Sequence, residues 1–214
     1  AGITWDADTL RRLADFCSEH NIIVISDEIH SDMAIFGNKH VPFASVSEAA
    51  AQCSITFGAP SKTFNIAGIV SSWCIVPNEK LRRPLFEWMT ANELDDPHLF
   101  APIATMAAFK NGEEWRQQML AYVEQNILFV EEFLSKHLPQ IKAVRPQASF
   151  LVWLDCRGLH LDHDQRIDPF VNRARQALND GEMFGKEGKG MMRMNVATPR
   201  SVLKEALERL AAQI

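Results

Sequence analysis

The segment Ile-Ile-Val-Ile-Ser at residues 22–26 constrains this chain more than any other. It is apolar at odd and even positions alike, so as a short strand it needs cover on both faces. Such strands belong to parallel sheets with helices packed on them. The preceding stretch supplies one helix: Leu10, Leu13, Ala14 and Cys17 recur at helical spacing, with Asp6 placed to cap the start and Asn21 to end it. Residues 54–58 and 70–76 have the composition of two further strands. The succession predicts an α/β fold, a sheet with helices packed against it.

Beyond Asn78 the pattern turns helical. Residues 78–91 carry Pro84, where a bend is expected, and residues 98–112 stop at Gly112. Met119, Val123, Ile127, Val130 and Leu134 share one face of a long helix from Glu113 to about His137. The composition then changes. Residues 142–146 and 148–155 read as strands, 159–169 as a polar loop, 169–179 as a helix and 191–197 as a strand. Residues 198–214 form a last helix, with Thr198 as its cap, Pro199 as its first residue and Leu203, Leu207 and Leu210 on its buried face. A boundary inside the long helix separates residues 1–122, part of a larger sheet domain, from residues 123–214, a small α+β domain.

The bulk numbers narrow the function classes. Of 214 residues, 47% are hydrophobic and 23% charged, with a net charge of -5 and no basic block. Neither a nucleic acid nor an anionic membrane surface is an expected partner. No apolar run is long enough to span a bilayer. Cys17, Cys53, Cys74 and Cys156 are far apart and form no CxxC pair. That argues against a zinc site or a disulfide framework and points to a reducing, cytoplasmic setting. His160, His163 and the acids among them in residues 160–164 are metal-capable, but their crowded spacing is that of a solvated loop, so no metal is expected. The glycine-rich residues 185–190 lead into a strand, not a helix, and make a poor phosphate cradle.

Two short motifs carry chemistry. Asp27 stands at the carboxyl end of the 22–26 strand, where open α/β sheets bind ligands; Glu28 qualifies equally on position. Lys62 follows the 54–58 strand through Ala59, Pro60 and Ser61, small neighbours that allow close approach of a ligand. Ser61 offers a hydroxyl and a backbone N–H to an anion. The two loops would lie on one sheet edge. A lysine amine paired with an acid for a pyridinium nitrogen is what pyridoxal phosphate asks of a protein.

Residues 25–33 (ISDEIHSDM), 59–68 (APSKTFNIAG) and 192–210 (MRMNVATPRSVLKEALERL), in that order, resemble fold-type I pyridoxal phosphate enzymes. Among these the chain is most similar to the cystathionine β-lyase or C–S lyase branch of the class I/II aminotransferases. The resemblance implies that Asp27 is the partner of the pyridine nitrogen and Lys62 the lysine that holds the cofactor. It implies that His30 contacts the ring hydroxyl and that Arg193 grips the substrate α-carboxylate, a task suited to a bidentate guanidinium. Two positions depart from typical aminotransferases: Val70 stands where they carry a phosphate-clamping arginine, and Ala59 where they often carry serine. Ser61 is then the best phosphate contact in this half of the site. The implied activity is β-cleavage of cystathionine- or cysteine-type amino acids to a thiol, pyruvate and ammonia. An aminotransferase, or a non-catalytic protein on the same scaffold, is the alternative. The resemblance also implies that the chain is the C-terminal part of a longer homodimeric protein and inactive alone.

Overall fold

The computed structural model describes residues 2–214. They form two compact units, Thr4–Gln118 and Met119–Ile214, the second including residues 2 and 3.

The first unit opens with α1, Ala7–Glu19, capped as its sequence predicts: Asp6 Oδ1 accepts from the Thr9 N–H at 2.8 Å. Leu10 and Ala14 bury against Phe43 and Ala50, whereas Leu13 is exposed. Ala50 lies on α2, Glu48–Cys53, capped by Ser47. This unit has three strands, β1 (Val24–Asp27), β2 (Ser54–Gly58) and β3 (Trp73–Ile75), in the order β1-β2-β3. The β1–β2 pair is parallel, with Val24 opposite Ser54 and Asp27 opposite Phe57; β3 returns antiparallel to β2. A Cβ at Gly58 would lie 2.2 Å from the indole of Trp73, so glycine is what lets the indole lie across this strand end.

The apolar pattern of β1 calls for cover on both faces, and among the described residues one side of the strand is left open. It is an edge strand, and Ile25 is 69% exposed. The next helices are α3, Glu79–Ala91, and α4, Phe100–Asn111. Pro84 lies inside α3 without ending it. No residue of α3 is buried, and α4 exposes Phe100, Ile103, Met106 and Phe109.

The long helix α5, Glu113–His137, runs on into the second unit, where Val123, Ile127, Val130 and Leu134 are buried as their spacing predicts. The sheet of this unit is antiparallel, in the order β4 (Lys142–Val144), β5 (Leu151–Asp155), β7 (Met191–Asn195), β6 (Asn179–Asp180). Val152, Leu154, Met192 and Met194 point into the core, with Leu203, Leu207 and Leu210 of the last helix, α7 (Arg200–Ala211).

Three local expectations are corrected. Residues 159–169 are not all loop, because Asp162 and Gln165 form a reciprocal capping box that starts α6, His163–Ile167. Residues 169–179 are not one α-helix: a single wide π-turn, Asp168–Arg173, ends near Arg175, which adopts a left-handed φ of 55°, and the chain then extends into β6. Helix α7 begins at Arg200 with Pro199 in the cap position and no side-chain cap.

One polar residue organises the second unit. Asn126 is fully buried on α5, donates to the carbonyls of Val196 (2.8 Å) and Thr198 (2.9 Å), and accepts from Arg200 Nε at 2.7 Å. It supplies partners to the backbone just before α7, which Pro199 leaves without a side-chain cap. Replacing Asn126 by alanine leaves those carbonyls unsatisfied, and urea unfolding should show a loss of about 1–3 kcal/mol. A change below a few tenths would mean that water substitutes for the amide.

Candidate functional site at the sheet edge

Parallel pairing fixes where the two chemical loops begin. Because β1 and β2 run the same way with Asp27 opposite Phe57, both strands deliver the chain to one edge of the sheet. The Glu28 N–H donates to Phe57 O at 2.8 Å and extends the ladder by one bond. Asp27, the last residue of β1, is exposed, and its Oδ1 accepts from the Ile29 N–H at 3.2 Å. That contact turns the chain at the strand end and leaves Oδ2 without a hydrogen bond among the described residues. His30 follows, half-buried, its carbonyl accepting from the Met33 N–H at 3.0 Å to start a short 3-10 turn, Ser31–Met33. Arg116 holds the far side of that turn, donating to Asp32 O at 2.8 Å while pairing with Glu113.

The neighbouring acid does different work. Glu28 is buried, and its carboxylate accepts from Ser26 Oγ (2.9 Å) and the Phe43 N–H (3.0 Å) and contacts His40 Nε2 at 2.8 Å. Burial pushes this carboxyl up, yet the bonds from His40, Phe43 and Ser26 together outweigh it, and its pKa lies below the ordinary value. Of the two acids that sequence position left equivalent, Glu28 is a clasp inside the protein and Asp27 is open to a ligand.

The second loop leaves Gly58 through Ala59 and Pro60, both buried, to half-buried Ser61 and exposed Lys62. Bonds from the Phe64 N–H to Pro60 O (2.9 Å) and the Ile66 N–H to Ser61 O (3.1 Å) close it into a compact turn. Lys62 has no hydrogen-bond or ion-pair partner among the described residues. Thr63 beside it is fully buried with its hydroxyl unpartnered. Farther on, Val70 ends a 3-10 turn, Ala67–Ile69, in a left-handed conformation (φ 51°) with its side chain 79% exposed. A β-branched residue is strained there, and it offers no cation.

Arg193 belongs to the second unit. It lies on β7 between Asn179 of β6 and Trp153 of β5. Its Nη2 and Nε donate to Asn179 Oδ1 at 2.8 and 3.3 Å, and its guanidinium carbon sits 4.3 Å from the centre of the Phe184 ring. No carboxylate pairs with it among the described residues. On the same unit His163, Asp180 and Glu182 bring metal-capable atoms within 4.8 Å of one another. Buried Arg166 supplies the positive charge in that cluster, 2.9 Å from Glu182 and 3.4 Å from Asp180.

The sequence matches the description "aminotransferase class I and II" over residues 1–210. This chain belongs to that family. It is 37% identical over 214 residues to the protein named cystathionine beta-lyase PatB of Bacillus subtilis, covering all of this chain and 55% of that protein. Its fold superposes on cystalysin of Treponema denticola, whose crystal structure contains pyridoxal 5'-phosphate, with a TM-score of 0.95 at 32% identity, over 99% of this chain and 54% of that one. It superposes on a pyridoxal phosphate-bound C–S lyase of Staphylococcus hominis with a TM-score of 0.88 at 31% identity, over 99% of this chain and 52% of that one. The chain thus spans about half the length of the relatives it matches. The mixed α/β architecture expected from the sequence is that of these family members.

Sequence reasoning named Glu28 only as Asp27's equal and missed its clasp, because His40 and Phe43 stand twelve and fifteen residues away. It passed over Asn179 and Phe184 for a similar reason: one meets Arg193 across paired strands and the other from the turn Gly181–Phe184.

The Glu28 carboxylate has a stability consequence. Its folded pKa is depressed, so its contribution is present above the ordinary carboxylate range and is lost as pH falls through the folded value. The variant Glu28→Gln should be less stable than the parent at neutral pH by about 1–2 kcal/mol. The gap should narrow as the pH falls below the ordinary carboxylate range and close once it passes the depressed folded value. Urea titrations at several pH values check this; a gap constant with pH would show that charge is not what matters.

Proposed function

We propose that this chain carries the lysine and acid of a pyridoxal phosphate-dependent carbon–sulfur β-lyase acting on cystathionine- or cysteine-type amino acids. The observation that carries the reading is the parallel register of β1 and β2, which gives the Asp27 and Lys62 loops a common sheet edge. The residues present fit the cofactor. An exposed carboxylate, an amine without a partner among the described residues and the Ser61 hydroxyl are the donor set that a pyridinium, a carbonyl carbon and a phosphate require. The phosphate side is thin, since Val70 stands where a clamping arginine would. That departure favours the lyase branch over an aminotransferase, and the identity to PatB supports it.

Bound pyridoxal phosphate would supply an electron sink for a carbanion at the substrate Cα. Asp27 would keep the ring nitrogen charged, and His30 would bond the ring hydroxyl. Lys62 would hold the cofactor through Nζ and, once displaced by the substrate amine, take the Cα proton as general base. Arg193 would hold the α-carboxylate, a role supported by its lack of an acidic partner among the described residues. Loss of the Cα proton would let the Cβ–S bond break and the thiolate leave, and hydrolysis of the released three-carbon enamine by one water would give pyruvate and ammonia. Residues 1–122 would form part of the cofactor domain and residues 123–214 the small domain. Turnover, dimerisation and a cytoplasmic location are proposed for the full-length protein; the dimer rests on the resemblance alone.

Borohydride reduction of the cofactor-loaded full-length protein, followed by peptide mapping, should label Lys62; a label on Lys39 or Lys80 would overturn the assignment. Pyruvate should form from cystathionine with no keto acid present, whereas dependence on a keto-acid acceptor would make the protein an aminotransferase. The change Asp27→Asn should keep the cofactor bound and lower kcat on the order of 100-fold or more, because an amide cannot hold the nitrogen charged.

A further inference from the structure

We infer that Asn179 and Phe184 are positioning residues that keep the Arg193 guanidinium an uncompensated cation with one edge open, and so set its affinity for a carboxylate. The inference rests on the reading of Arg193 above and extends it to two residues with no assigned role.

A guanidinium offers two edges for bidentate binding, one made by Nε and Nη2 and one made by Nη1 and Nη2. The first edge of Arg193 is occupied, because Asn179 Oδ1 accepts from Nη2 at 2.8 Å and from Nε at 3.3 Å. One face is covered by Phe184, whose ring centre lies 4.3 Å from the guanidinium carbon. Phe184 is itself held edge-on to Trp153, with centroids 5.4 Å apart at 84°. Nη1 makes no hydrogen bond among the described residues. The cross-strand register explains the fit: Trp153, Arg193 and Asn179 stand opposite one another on β5, β7 and β6, so their side chains share one face of the sheet. An incoming carboxylate therefore meets the end-on edge, Nη1 and Nη2.

The chemical type of residue 179 is decisive. An amide oxygen accepts from the guanidinium N–H groups in the geometry of a carboxylate oxygen, but it carries no charge. Arg166, by contrast, is buried against Glu182 and Asp180 and has its charge met inside the protein. Arg193 is held by the amide oxygen and the ring, with no acidic partner among the described residues. Long arginine side chains lose rotamer freedom on binding, and here that cost is met in advance by Asn179 and Phe184.

The test is Asn179→Asp in the full-length holoenzyme, a change that keeps shape and bond geometry and adds a competing carboxylate. KM for cystathionine should rise on the order of tenfold or more with kcat within about twofold, since a charge-assisted contact is at stake. Calorimetry gives a readout free of turnover. L-alanine should bind the variant at least about tenfold more weakly, while ethylamine, its counterpart without a carboxylate, should bind both proteins alike. The Phe184→Leu variant should shift L-alanine in the same direction by about threefold, and it decides the matter if Asn179→Asp does not fold. Unchanged L-alanine binding in these variants, while Arg193→Lys weakens it, would overturn the inference and leave the role of Arg193 standing. Unchanged binding in Arg193→Lys as well would overturn both. Equal weakening for ethylamine would reduce Asn179 to a structural role and also overturn the inference.

Discussion

The backbone ladder between β1 and β2 is the contact on which the rest of the candidate site depends. Two strands laid parallel end at the same edge, and the loop after each strand is delivered there without further instruction. A single-residue slip would exchange Asp27 for Ser26 or Glu28 at the strand end, replacing an open carboxylate by a hydroxyl or by a residue needed inside. The register is held from several directions. The Glu28 N–H adds a ladder bond, its side chain ties the strand end to Phe43 and His40, and Arg116 secures the next turn through Asp32. Adjacent acids thus divide their labour by direction, one anchoring and the other left to the ligand.

A comparable division exists among the arginines of the second unit. Arg166 and Arg193 are both restrained, one by acids and one by an amide and an aromatic ring. The difference is electrostatic rather than geometric. A neutral partner orders a cation without cancelling its charge, which leaves the attraction for something that arrives from outside. Asn126, Arg200 and Phe129 show the purely structural version of the same device, with the Arg200 guanidinium 4.6 Å from the Phe129 ring and bonded to Asn126.

How much the sequence discloses depends on the range of the interactions. The strand before Asp27 is legible as a short apolar run with acids directly after it, the strand before Lys62 as a short β-prone segment that ends in glycine and proline, and the helices α1, α5 and α7 because their apolar spacing is regular. The failures are of two kinds. The capping box of α6 is present in the sequence as Asp162 and Gln165, a local signal overshadowed by the polar histidines and acids around it. The turn through Asp168–Arg173 and the strand after it are not visible locally, since Arg175 in a left-handed conformation and the pairing of Asn179 with Arg193 are settled by the sheet. The Glu28 clasp and the Asn179 contact share that origin. The open faces on β1 and α4 belong to a chain that spans about half the length of its relatives, so the apolar pattern there marks what the segments need and not what stands beside them among the described residues.

Gly58 and Trp73 carry a consequence for how this sequence can diverge. The indole occupies the volume that any side chain at position 58 would claim, and Gly58 is the last residue before the loop bearing Lys62. A methyl group there must push either the indole aside or the lysine loop off its course. Position 58 therefore accepts a larger residue most readily in a background where position 73 has already become small. The two positions form a ratchet in which the order of substitutions matters, and drift that begins at the glycine meets the site before it meets any relief.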